Sequence, residues 1–432
     1  MTEGQSSVGG DLFVMVRDLY PINRSITGDG VRQTLARIAQ DIPLQLHEVP
    51  TGTPVLDWEV PREWNARAAR IEDMQGRILV DFADNNLHLV SYSMPVDRVL
   101  SRDELARHVH TLPDQPALVP YRTAYYAESW GFCLSHALWE SMRDESYRVV
   151  IDASLEPGSL TYGEWLIPGE SADEVLISAH CCHPSLANDN LSGLAVATHL
   201  ARRMASRKRR LSYRFLFTPA TIGAITWLAR NEDVVPRIRH GLILSCVGDR
   251  GGFHYKQSRQ GDALVDRAVA HVLKLRSPSS SLLPFSPFGY DERQYCSPGY
   301  NLPVGCFMRS PNGTFPEYHT SADNLDLVSP EAMADSLDTL TAILELLDDN
   351  RLYERLDGRG EPQLGRRGLY RAISGQKEAG GVTQLALLWV LNLADGRHTL
   401  LDMAERAQMS FGEIKAAADL VAEAGLILEA AR

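Results

Sequence analysis

From Tyr147 to Asp349 the chain alternates short apolar runs with amphipathic stretches, and two of the runs are apolar without interruption. Val175–Leu176–Ile177 and Leu242–Ile243–Leu244 offer no polar side to solvent, so each reads as a strand covered on both faces. Strands of that kind need helices above and below them, which makes this region an α/β layered domain. The strand candidates are YRVVIDA, LTYGEWLI, EVLISAH, YRFLFT, HGLILSC and PVGCFM. Helices are expected over Asn190–Met204, through Trp227, and over Pro330–Asp349. The last opens on Ser329–Pro330–Glu331, a hydroxyl cap followed by proline in the first turn.

The flanks differ in texture. Asp11–Tyr20 and Asp29–Gln40 read as amphipathic helices around the loop LYPINRSITGDG. Between residues 57 and 117 the pattern changes to short β-like runs such as RILVDF and LHLVSYSM, split by polar turns, which predicts a small inserted β-rich module. The α/β domain then comprises residues 1–56 and 118–352. After the linker DGRGEPQLGRRG, Thr383–Leu393, Leu400–Ala407 and Phe411–Ala424 have the spacing of a helix-turn-helix unit, placed at 365–432.

Composition excludes several classes of protein. A hydrophobic share of 44 % and a charged share of 23 % are those of a soluble globular chain, not a disordered or fibrous one. Lys plus Arg is 43 against 55 for Asp plus Glu, a net charge of −12 that repels phosphate backbones, so no nucleic-acid partner is expected. Phe411–Ala424 has Lys415 as its only cation, which favours docking or dimerisation over DNA reading and leaves a homo-oligomer open. The six cysteines form no CxxC pair, which points to a reducing compartment. The start MTEGQSSVGG lacks a signal-peptide pattern and no run is long enough to span a bilayer, so a cytoplasmic protein without a membrane partner is expected.

Two clusters carry chemistry. In AHCCHPSLANDNLSG, His180 closes the strand EVLIS, and open α/β sheets bind ligands at the carboxyl ends of their strands. Asp189 stands at the entrance of the next helix. A His and a carboxylate together suit zinc; the alternative is a helix cap and a polar strand end. In EYHTSADNLD, His319 follows the strand PVGCFM and can converge on the same edge, with Asp323 holding its imidazole. Asp249, past HGLILSC, is a further ligand or an orienting carboxylate. In YDERQYCSPG, Arg293 is suited to a substrate carboxylate, and Glu292 and Tyr295 share its loop. Arg24 and Tyr162 carry weaker forms of the same argument.

The order strand–His, Asp–Asn–x–Ser–Gly and a late His–Thr–x–x–Asp resembles the zinc aminopeptidase fold. More closely, the chain resembles aminopeptidase-like proteins of bacterial biosynthetic clusters, through LYPINRSITGDG, DWEVPREWN, VPYRTAYY, GSLTYGEW, CVGD and the two clusters above. The resemblance implies an α/β/α sandwich with a mixed sheet, the β-rich insertion and a C-terminal winged helix. It also implies metal ligation by His180, Asp189 and His319, with His183 an alternative first ligand because HCCH leaves the register open. In the wider zinc aminopeptidases the Asp bridges two metals. The further carboxylates that complete such a pair are missing here, which argues for one zinc ion over two. The implied activity is hydrolysis of an amide bond in a small molecule or short peptide. Similar proteins have a glutamate where Ala220 stands, the residue that would take a proton from water. Its loss implies an impaired or substrate-trapping hydrolase, or a member that binds without turnover.

Overall fold

The uninterrupted apolar runs form strands covered on both faces: Glu174–His180 and Ser212–Thr218 are buried at every position. The structure, a computed structural model, describes residues 8–277, 279–369 and 383–430. Residues 1–7 of the polar start, and residues 370–382 and 431–432 of the expected C-terminal module, lie outside them. The described chain divides into two units, residues 1–265 with 279–340 and residues 266–278 with 341–432.

The first unit is built on an eight-stranded mixed sheet. Its strands in chain order are β1 (Gln45–Pro50), β2 (Ser159–Ile167), β3 (Glu174–His180), β4 (Ser212–Thr218), β5 (Ile238–Leu244), β6 (His254–Lys256), β7 (Ser281–Leu283) and β8 (Val304–Met308). They lie in the order β1-β2-β4-β3-β5-β8-β6-β7. The four central strands β4, β3, β5 and β8 run parallel, while β1, β2 and β6 pair antiparallel with their inner neighbours. From β3 the chain crosses to β4 on one side, then to β5 on the other, so the order reverses at β3. Such a reversal opens a crevice at the carboxyl ends of the strands.

The inserted module is a four-stranded antiparallel sheet ordered Ile78–Asp81, Glu63–Glu72, Ser146–Glu156, Val96–Ser101. The segment YRVVIDA therefore belongs here and not to the large sheet, and the module reaches past residue 117. Its alternation explains why: Tyr147, Val149, Ile151 and Ala153 are buried while Arg148 and Asp152 are exposed, as in a strand with one wet face. The module's core is continuous with that of the large sheet through Trp64, Tyr147, Ile151 and Leu216.

In the second unit, three helices, Gln384–Leu393, Leu400–Ala407 and Phe411–Glu423, accompany a three-stranded sheet ordered Asp395–Thr399, Leu352–Arg355, Ile427–Glu429. Capping boxes start the second and third helices at Thr399/Asp402 and Ser410/Glu413. The middle strand, Leu352–Arg355, precedes the charged linker, so the module starts before residue 365. The Gly- and Pro-rich linker is a connection inside it. Among the described residues no helix is long and apolar enough to cross a membrane.

Candidate metal centre

His180 is the last residue of β3 and lies opposite Thr218 of β4. The chain then runs to an irregular stretch, Ala187–Ser192, in which Asp189 and Asn190 have non-helical backbone, so the helix begins at Gly193 and not at Asn190. Side-chain ties draw those residues out. Asn190 Nδ2 donates to Leu244 O of β5 at 2.9 Å, and Asp323 accepts from the backbone N–H groups of Asn188 and Asp189 at 2.6 and 3.0 Å. His319 arrives from the loop after β8 with φ 54°, in the left-handed region, which costs about 1–2 kcal/mol for a residue with a Cβ. Its carbonyl accepts from Tyr121 N–H at 2.8 Å, which helps hold that conformation.

The two histidines meet on one carboxylate. Asp189 is fully buried, with Oδ1 3.0 Å from His180 Nε2 and Oδ2 3.0 Å from His319 Nε2. His183 joins them: ligand atoms of His180, His183 and Asp189 lie within 4.8 Å of one another. Tyr290 donates its hydroxyl to Asp189 Oδ1 at 3.3 Å and stacks on His180 at 5.1 Å. Tyr318 stacks on His319 at 3.9 Å, and the Tyr121 ring lies 5.1 Å from both His183 and His319. Among the described residues, only histidines ion-pair with Asp189. Burial works against its ionisation, but hydrogen bonds to His180 and His319 hold the carboxyl well below its ordinary range. Burial keeps His183 neutral, the form that donates a lone pair. A buried carboxylate with imidazole nitrogens at both oxygens and no Lys or Arg partner is a nitrogen-and-oxygen donor set that fits zinc.

The other sequence candidates divide sharply. Asp249 is committed elsewhere, accepting from Asn188 Nδ2, Ser310 Oγ and Gly251 N at 2.7–2.8 Å, so it braces the Asn188 loop. Asp323 grips backbone, not the imidazole of His319. Ala220 lies two residues beyond Thr218; its N–H donates to Cys182 Sγ at 3.3 Å, which brings position 220 beside the His183 loop. Arg24 is no surface anion binder. It is buried and donates to Leu19 O, to Thr34 Oγ1 at 2.9 Å and to His183 O at 3.1 Å, so it positions the histidine loop.

Tyr162 is buried on β2 and stacks on His47 at 4.7 Å. Glu292 Oε1 accepts from Lys256 Nζ at 2.6 Å, and Tyr295 is buried with its ring 6.4 Å from that of Trp227. All three side chains are buried, and Glu292 Oε2 and Tyr295 Oη have no hydrogen-bond partner among the described residues. Arg293 is half-buried, and its Nε has no partner among the described residues. The aromatics of VPYRTAYYAESW, Tyr121 among them, read in sequence equally as pocket lining or as a packed module interface. The sequence reading gave no role to Tyr290 and Tyr318, although each lies inside a chosen motif. Asp291, which shares the loop of Arg293 in sequence but was given no role there, is a buried carboxylate whose two oxygens have no partner among the described residues and which burial pushes up to about 7. A polar cleft of about 460 Å³ at Asn23, Gln33, Asn65 and Ser154 includes none of the clustered histidines or Asp189.

Comparison with known proteins matches this architecture. The family model described as a domain of unknown function, DUF4910, matches residues 13–350, and a winged helix-turn-helix model matches 351–429. A protein of Clostridium acetobutylicum that carries the provisional name of a polysaccharide biosynthesis protein with an aminopeptidase-like domain is 47 % identical over 417 residues, 96 % of each chain. A crystal structure of a provisionally named peptidase from the same organism superposes with a TM-score of 0.93 at 45 % identity, covering 98 % of this chain and 97 % of that one. The zinc aminopeptidase BSAP of Bacillus subtilis shares the fold alone, at a TM-score of 0.56 and 14 % identity over 79 % of this chain and 95 % of that one. With its α/β core, inserted sheet and winged helix, the chain belongs to the DUF4910 family of aminopeptidase-like proteins.

Proposed function

We propose that the protein is a zinc-dependent hydrolase of an amide or peptide bond in a small molecule or short peptide. One observation carries the reading: the buried Asp189 carboxylate receives an imidazole at each oxygen, at the carboxyl ends of parallel strands. His180, Asp189 and His319 would hold one ion, with His183 the alternative to His180. A bound zinc polarises a carbonyl and makes water acidic enough to supply a nucleophile near neutral pH. The chain's own residues prepare the place. Asp323 and Asn190 fix the backbone that presents Asp189, the Tyr290 hydroxyl orients its carboxylate, and the rings of Tyr318 and Tyr121 shield the imidazoles from water.

Position 220 is where the resemblance implies a proton-accepting glutamate, and a methyl group cannot take a proton. Turnover is then slower by about 10²–10⁴-fold, the usual value of a positioned base. Ala220 also favours a second reading, a family member that binds metal and ligand without turnover. The name of the Clostridium relative supports a biosynthetic setting, and six free, buried cysteines support a reducing, cytoplasmic compartment.

Zinc-loaded protein incubated with a panel of aminoacyl and acyl amides should release ammonia or amine slowly. That release should stop on chelation and return with zinc. If the zinc-loaded chain cleaves no amide on the panel, the binding reading takes precedence.

A further inference from the structure

A cavity of about 260 Å³ adjoins the candidate centre, and Ala220 forms part of its wall. Thr221, Ile222 and Ile225 continue that wall along the helix Ile222–Arg230, and Ile26 and the aromatics Trp58, Tyr125 and Tyr126 complete it. No charged side chain lines it. Trp58 and Tyr126 are 49 % and 48 % exposed, with ring centroids 5.4 Å apart, so about half of each large aromatic side chain faces solvent. Tyr126 Oη donates to Glu59 O at 3.1 Å, which ties the pair to the hairpin that carries Trp58.

Two chains of contacts link the cavity wall to the histidine cluster. Ala220 N–H donates to Cys182 Sγ, next to His183. Tyr125 Oη is 3.1 Å from Tyr121 Oη, and the Tyr121 ring lies against His183 and His319. A volume of about 260 Å³ falls below the roughly 300–1,000 Å³ that encloses a whole small ligand, so it holds one substituent. An apolar wall would strip water from a charged group without pairing it.

On the basis of the hydrolase reading above, we propose that this cavity is a specificity pocket for one apolar side chain, aromatic or large aliphatic, of the amide substrate. Trp58, Tyr125 and Tyr126 line the pocket together with Ile222 and Ile225 of the α/β domain. The substrate class is then an amide flanked by a bulky apolar group, not by an acidic or small one.

The test is calorimetric titration of the zinc-loaded full-length chain with the hydroxamates of phenylalanine, leucine, alanine and aspartate. Those of phenylalanine and leucine should bind about 10- to 100-fold more tightly than those of alanine and aspartate, the value of burying one large side chain. Trp58→Ala, at a half-exposed position that tolerates truncation, should remove most of that preference, and Trp58→Phe should restore part of it. Equal binding of all four probes, or a preference untouched by both Trp58→Ala and Tyr126→Ala, overturns the pocket assignment alone. If zinc is bound yet no hydroxamate binds, the hydrolase reading fails and takes the pocket's role with it.

Discussion

Asp189 depends on residues that never touch a ligand. Asp323 accepts a backbone N–H at each of its two oxygens, and an amide offers only one oxygen. Asp323→Asn replaces one acceptor by a donor facing an N–H. Metal affinity, measured by competition with a chromophoric chelator, should therefore fall about 10- to 100-fold, the usual effect of losing an outer partner. Unchanged affinity would show that the loop holds its shape without this clamp. Ala220 calls for the opposite experiment. Ala220→Glu should raise amide hydrolysis by about two to four powers of ten with metal content unchanged, because the role assigned to that carboxylate is proton transfer. A doubled zinc content would make position 220 a ligand instead. That His180, Asp189 and His319 come together was legible because histidines past strand ends and an Asp before a helix leave a local signature. The partners of Asp323 and Arg24 were not. Each grips backbone on a distant loop, which no residue type advertises, and a buried arginine looks in sequence like any anion-binding one.

Between elements, Arg32 of the helix Asp29–Ile38 is joined to Glu63 of the inserted sheet. Two hydrogen bonds of 2.7 Å join them, and Ser159 N–H adds a third to Glu63 at 2.9 Å. The Arg32 guanidinium holds the Glu63 carboxyl down at about 2, below its ordinary 4.5. A depressed carboxylate stabilises the fold above the unfolded value and loses that contribution as pH falls through the folded one. Glu63→Gln should thus cost about 1–3 kcal/mol at neutral pH, and the deficit should shrink between pH 4.5 and about 2. Urea midpoints of both proteins at pH 7 and at about pH 3 measure this. A deficit that is the same at both would assign it to packing and not to charge. The central strands were legible because their apolar runs admit one environment only. The edges of the modules were not, since Ser146–Glu156 and Leu352–Arg355 are assigned by partners far away in sequence. A local reading put one in the large sheet and left the other upstream of a linker.

At the scale of the whole chain, the winged helix and the α/β core pose separate questions. Lys415, the one cation of Phe411–Glu423, pairs with Asp419 at 2.8 Å, so the helix offers no free positive charge to a phosphate backbone. Duplex DNA should bind no better than the non-specific background, about 10⁻⁴–10⁻⁶ M at physiological salt, in a fluorescence-anisotropy titration. A nanomolar, sequence-dependent complex would make the module a reader of DNA. The core rests on one claim, that His180, Asp189 and His319 share an ion, and the metal content of the purified full-length chain tests it most directly. Elemental analysis should find about one zinc per chain after desalting, and Asp189→Asn and His319→Ala should each lose most of it while the far-ultraviolet circular dichroism is unchanged. Zinc that stays at wild-type stoichiometry in both variants, or a wild-type chain that retains none after saturation, would contradict the account.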